Sequence, residues 1–302
     1  MDELKLKIHN LPKGDVHNHL HLSAGLTLLK EKYPKLKFHL PRRFNGFAGM
    51  MQFIEQNVNA FMTSSENVID LMDLGIRSSI ADNVTYLETS VDINLYRFFN
   101  NSVEEFMQAV DQLKRKYKDQ IDFKPEVGIN KDSSQETINE VGMQYIDSGV
   151  FKSLDLYGDE NNHDLNGFLN IYKYAKTKNL KTKVHIGEFS DHKTIEKAID
   201  ILEPDEIQHG IRAVDSTYTM RMITERGIRL NICPQSNIAL GAVTGTHSHP
   251  IRKLYDSGIK LTINTDDLLL FNASITDQYI NLIEQGIFTF EEINEIRLNA
   301  FP

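Results

Sequence analysis

Two histidines, His17 and His19, stand two residues apart in the run GDVHNHL (14–20). In an extended strand, residues i and i+2 share a face, so both imidazoles can reach one ion. Further along, His185 and Glu188 close KTKVHIGE (181–188), and His209 closes DEIQHG (205–210). Asp266 closes KLTINTD (260–266), and Asp267 follows it. Three imidazoles and a carboxylate suit Zn²⁺, which takes N and O ligands and can keep one position open for water. Each piece alone has an ordinary reading. An H-x-H pair can simply pack, a lone His209 can be structural, and an Asp pair can cap a following helix. Their joint occurrence, one at the end of each of four separate apolar runs, is what points to chemistry.

Those runs belong to a longer series. Short apolar, β-branched stretches at 14–20, 83–91, 122–129, 150–158, 181–188, 205–210, 228–234 and 260–266 read as strands. Between most of them lie amphipathic stretches such as SVEEFMQAVDQLKRKY (102–117) and LNGFLNIYKYAKTKN (165–179), with apolar residues at helical spacing. Eight strands alternating with helices predict an α/β fold, a parallel (β/α)8 TIM barrel, with residues 1–302 as a single domain. The competing doubly wound sheet would place G-x-G-x-x-G after its first strand, and none stands there. The candidate site residues then fall at the carboxyl ends of barrel strands, where barrel enzymes build active sites. The segment from Gly25 to Asp82 is long for one connection. It is expected to lay extra helices over the barrel mouth, part of them within 41–62.

Composition narrows the partners. Net charge is −9, which argues against nucleic acid as a partner, because binding phosphates needs a basic surface. Hydrophobic residues make up 40% and charged residues 25%, ordinary for a soluble protein with a sizeable core. No run is apolar and long enough for a membrane span, and the amino terminus has no signal-like apolar stretch. A cytoplasmic location is the expectation. Cys233 is the only cysteine, so no intrachain disulfide forms, and it reads as a small buried apolar residue.

Six motifs, in order, resemble the adenosine and AMP deaminase family of metal-dependent hydrolases. They are VHNHLHLSAG, LYGDE, VHIGE, IQHG, ICPQSN and INTDD. The resemblance implies that His17, His19, His185 and Asp266 hold one Zn²⁺ per chain, which lowers the pKa of a bound water. It implies that Glu188 protonates the purine ring nitrogen beside the attacked carbon, with His209 and Asp267 orienting the attacking water. It further implies that Gly158 offers its backbone N–H to the ring and that Asp267 also meets the substrate. The implied activity is hydrolytic deamination of a small-molecule purine nucleoside or nucleotide, releasing ammonia. His249 reads as a supporting residue, and Ser236 and Asn237 as holding the loop after the seventh strand.

Several positions depart from the family pattern. His21 stands where adenosine-specific members carry an acid that meets the sugar 5′-hydroxyl. By alternation it faces the same way as His17 and His19, so it either binds a hydroxyl, phosphate or carboxylate or packs. Ser90 stands where many relatives have Arg, the usual Pro after the paired Asp is missing, and the chain ends at LNAFP where relatives continue. Arg42 and Arg43 can either grip a phosphate or form a solvated face. Substrate identity therefore stays open among adenosine, N6-substituted or 5′-modified adenine derivatives, and other aminated heterocycles. A catalytically inactive barrel acting as a binding protein is the remaining alternative, against which the full set of acid, base and ligand residues argues.

Overall fold

In the computed structural model, which describes residues 3–37, 39–161 and 164–302, eight parallel strands follow one another around a sheet. They are β1 (Lys13–Asp15), β2 (Val84–Asp92), β3 (Asp122–Asn130), β4 (Ser153–Tyr157), β5 (Lys181–Ile186), β6 (Glu206–His209), β7 (Arg229–Ile232) and β8 (Leu261–Ile263). Each pairs only with its sequence neighbours. The seam between β8 and β1 is closed beyond the strands: Asp266 N–H donates to His17 O at 2.9 Å, and Val16 N–H to Asn264 Oδ1 at 2.9 Å. The fold is the expected (β/α)8 barrel.

The connecting helices form where their patterns predict. Over Val103–Tyr117, buried Phe106, Ala109, Val110, Leu113 and Tyr117 recur at helical spacing. Ser102 caps this helix by accepting the Glu105 N–H at 3.1 Å, and acids begin the helix while bases end it. The outward faces of the strands carry Leu154, Leu156, Val184, Ile207, Leu230 and Ile263, all buried under these helices. Among the described residues, no helix is long and apolar enough to cross a membrane.

The barrel interior differs from the usual aliphatic filling. Lys183 on β5 donates to the Val16 carbonyl at 2.9 Å and lies 2.6 Å from Glu126 on β3. It also meets Glu88 on β2 at 2.5 Å and Glu206 on β6 at 3.5 Å, contacts that only the interior allows. Arg229 on β7 joins Glu206 at 2.8 Å. A buried ionic layer therefore links five strands, β2, β3, β5, β6 and β7, directly beneath the site end.

The strands stop earlier than expected. β1 ends at Asp15 and β8 at Ile263, so His17 lies past its strand, while His19 and Asp266 keep only isolated parallel bridges, to Ser90 and Asn18. The reason is local: the chain must bend inward there to aim these side chains at the axis. His209 and Asp266 do so with φ of +64° and +58°. Left-handed backbone at a non-glycine residue costs about 1–3 kcal/mol, a strain that clusters at functional sites. Over the mouth lie the extra helices, among them Gly46–Phe53 followed by a wider turn at Ile54–Asn59.

Candidate active site

The site opens at the carboxyl ends of the strands, in a cavity of about 240 Å³. Four donors from three places in the chain meet at its floor. One ligand atom each from His17, His19, His185 and Asp266 lies within 4.8 Å of all the others. His17 Nδ1 faces the Asn231 carbonyl at 2.7 Å, so Nδ1 carries the proton and Nε2 offers its lone pair inward. That nitrogen faces His185 Nε2 at 3.0 Å, and Asp266 Oδ1 lies 3.8 Å from both His17 Nε2 and His19 Nε2.

This donor set fits a zinc ion. With metal–nitrogen bonds of about 2.0–2.1 Å, tetrahedral ligands stand about 3.4 Å apart, and the observed separations bracket that value. His17 and His19 favour the neutral form that ligation requires. Burial pushes His17 well below the ordinary histidine range, helped by the His209 and His185 rings. Burial likewise lowers His19 to about 3 and raises Asp266 to about 6. Behind His185, Asp155 Oδ1 lies 3.2 Å from Nδ1, in place to orient that ring.

Beside these donors stand the proton-handling groups. Glu188 is buried, and burial, with the Asp266 and Glu160 carboxylates nearby, pushes its carboxyl well above the usual range. That shift favours the protonated form, the one a proton donor needs. His209 Nε2 lies 3.6 Å from Glu188 Oε2 and 4.0 Å from Asp266 Oδ2. Asp267 lines the cavity, with burial as the largest cause of its own strongly raised pKa.

Gly158 also lines the cavity, with φ of +102°, and a Cβ there would come within 2.9 Å of Asn130 Oδ1. Only glycine suits that close approach. His21 lies in the cavity wall, buried, with no hydrogen-bond partner for Nδ1. Every expected site residue except the two arginines is thus gathered at one place. Arg42 and Arg43 are exposed and outside the cavity lining, and Arg43 donates to the Thr244 carbonyl at 2.7 Å. They form the solvated alternative.

The structure also adds residues that spacing could not reveal. Glu160 holds the turn carrying Glu188 by accepting backbone N–H groups of residues 187–190. Asn237, expected to serve only its loop, bonds both Glu188 and His209. His249 bonds Asn237 in turn. Phe47, Met50, Met51 and Ile54 make an apolar lid wall. The one available signal for Glu160 and Asn237 was their place inside LYGDE and ICPQSN.

Comparison with known proteins agrees with this geometry. The adenosine deaminase family model matches residues 12–302. A putative adenosine/adenine deaminase of Treponema pallidum (strain Nichols) is 34% identical, over 92% of this chain and 93% of its own length. Adenine deaminase from Arthrobacter aurescens superposes with a TM-score of 0.84 at 20% identity, over 96% of this chain and 92% of that one. An amidohydrolase from Burkholderia ambifaria with bound Zn gives 0.80 at 19% identity, over 99% and 87%. The two structures share the barrel fold.

Proposed function

The chain belongs to the adenosine deaminase family, and on that premise we propose that it is a metal-dependent hydrolase deaminating adenosine or a related purine. The observation that carries the reading is Glu188, a buried carboxyl group beside four convergent metal donors, whose burial favours its protonated form. We assign one Zn²⁺ per chain to His17, His19, His185 and Asp266. Bound there, the ion would supply Lewis acidity and bring the pKa of water toward neutrality.

The chain's own residues do the rest. Glu188 gives its proton to the ring nitrogen beside the amino-bearing carbon, making that carbon electrophilic. His209 donates through Nε2 to the attacking water oxygen, and Asp267 accepts the water's proton. A C–O bond forms; as the exocyclic C–N bond breaks, the proton held by Asp267 completes ammonia, and the proton of the new hydroxyl passes to Glu188, leaving the keto product and restoring the acid. Gly158 admits the flat purine edge, and His21 contacts the part of the substrate remote from the reacting carbon. The closure of β8 onto β1 supports reading residues 1–302 as one catalytic domain.

The lining further favours an uncharged purine nucleoside or base over a 5′-nucleotide. Asp92, Asp159, Glu160 and Asp267 line the cavity, while no Lys or Arg does among the described residues. A 5′-phosphate finds no basic side chain there to offset that field. The test is ammonia release by zinc-loaded protein from a panel of adenosine, adenine, AMP, N6-methyl derivatives and non-purine heterocycles. Turnover of adenosine or adenine is expected; failure with every purine overturns the reading.

A further inference from the structure

Behind Glu188 and His209 lies a buried chain of hydrogen bonds whose direction is determined at its far end. Ile251 N–H donates to His249 Nδ1 at 3.1 Å. A backbone amide can only donate, so Nδ1 is unprotonated and the His249 proton sits on Nε2. Burial keeps this ring neutral, with its pKa lowered to about 3. Nε2 then donates to Asn237 Oδ1 at 3.0 Å.

That bond decides which way the Asn237 amide points. The opposite orientation would set its NH₂ against the His249 N–H, donor against donor. With Oδ1 toward His249, the NH₂ spans the two reactive groups. It donates to Glu188 Oε1 at 2.5 Å and meets His209 Nδ1 at 3.2 Å. His209 Nδ1 must accept, so its proton resides on Nε2, the nitrogen facing Glu188 Oε2 and Asp266. Glu188 Oε1 is taken as an acceptor, which leaves Oε2 to carry the acidic proton. Asn237 has no exposed surface and His249 only 5%, so water does not compete for these bonds.

We propose that Asn237 and His249 are positioning residues, a one-way relay from the Ile251 N–H that sets the tautomer of His209 and the proton-bearing oxygen of Glu188. The inference rests on the deaminase reading for its catalytic consequence, though not for the tautomer itself. The relay explains why an asparagine and a histidine sit in ICPQSN and THSHP with no contact to the cavity.

The decisive variant is Asn237→Asp, which keeps the shape and turns the donor facing His209 into an acceptor. In zinc-loaded, ¹⁵N-histidine-labelled full chain, His209 should move its proton from Nε2 to Nδ1. The same variant should lose about 10- to 100-fold in kcat with KM and zinc content within about twofold of wild type, the mark of misaligned groups. His249→Phe, which removes the donor, should lose kcat similarly, and His249→Gln, which can restore a donor to Asn237 Oδ1, should recover most of it. An unchanged His209 tautomer in Asn237→Asp overturns the proposal, as does His249→Gln as slow as a folded His249→Phe. If His249→Phe does not fold, Asn237→Asp decides alone. If wild type deaminates no purine, the functional reading fails while the tautomer measurement still judges the relay.

Discussion

The backbone N–H of Glu188 donates to Glu160 Oε1 at 3.0 Å, so one carboxylate carries the chain segment that presents another. Glu160 Oε2 accepts Gly187 N–H at 2.9 Å, Phe189 N–H at 3.2 Å and Ser190 N–H at 2.8 Å. The turn after β5 is thereby held from the turn after β4. Glu160→Gln replaces one acceptor oxygen by a donor facing those N–H groups. It should lower kcat by about 10- to 100-fold, the cost of a misplaced acid, while zinc content stays at wild type. Wild-type kcat in this variant would show that the clamp is dispensable.

Glu188→Gln keeps the shape of the acid and removes its transferable proton. General acid catalysis contributes about 10²- to 10⁴-fold, so a loss in that range is expected from steady-state ammonia release. Zinc binding should survive, because Glu188 is outside the group of four convergent donors. A variant retaining a tenth or more of wild-type activity, as a rough threshold, refutes the assigned acid.

The cavity lining makes a substrate prediction. AMP should show kcat/KM lower than adenosine by about 100-fold or more, since its charge enters a field of carboxylates without a basic side chain to offset it. His21→Leu should raise KM for the preferred purine and leave kcat nearly unchanged, as expected for a contact made equally in ground and transition states. Equal efficiency on AMP and adenosine would remove the electrostatic argument.

Stability should depend on pH through the ionic layer under the site. Three carboxylates, Glu88, Glu126 and Glu206, surround Lys183, with the partly buried Arg229 as the second cation of the layer. Burial would raise Glu206, but Lys183 and Arg229 outweigh it and hold the group at about 2. For Glu126, burial wins over the pull of Lys183 and pushes the carboxyl up from 4.5 to about 8. Between those two values the native state keeps a proton that the unfolded chain has lost. Its stability contribution therefore falls as pH rises through that window. Glu126→Gln is neutral throughout and lacks this slope. Urea unfolding at pH 5 and pH 8 should show Glu126→Gln gaining on wild type at the higher pH, by on the order of a few kcal/mol at most. A constant difference between the two proteins would place the shared proton elsewhere.

Much of the site could be read along the chain because its chemistry is local to strand ends. His17 with His19, His185 with Glu188, and Asp266 with Asp267 each sit within a few residues of one another. A barrel brings the ends of all its strands to one mouth, so finding eight apolar runs was enough to gather those pieces. The amphipathic pattern of 102–117 likewise marked its helix within a residue of the observed start. What the pattern misjudged was where strands stop. The expected strands ran on to Leu20 and Asp266, but past Asp15 and Ile263 only isolated bridges remain, His19 with Ser90 and Asn18 with Asp266, and hydrophobic alternation carries no sign of that break.

The sequence by itself determined the barrel, because period and spacing are properties of neighbours along the chain. The choice of the four donors and of the acid beside them was what the motifs' resemblance to the deaminase family implied. Tertiary structure alone decided four things. It set the ionic layer linking five strands, the placement of Glu160 under Glu188, and the exclusion of Arg42 and Arg43 from the cavity. It also decided that Asn237 and His249 serve Glu188 and His209 rather than their own loop. Hydrogen bonds and desolvation act through space between residues tens to hundreds of positions apart. Their direction depends on which donor meets which acceptor, and that is settled only once the chain has closed on itself.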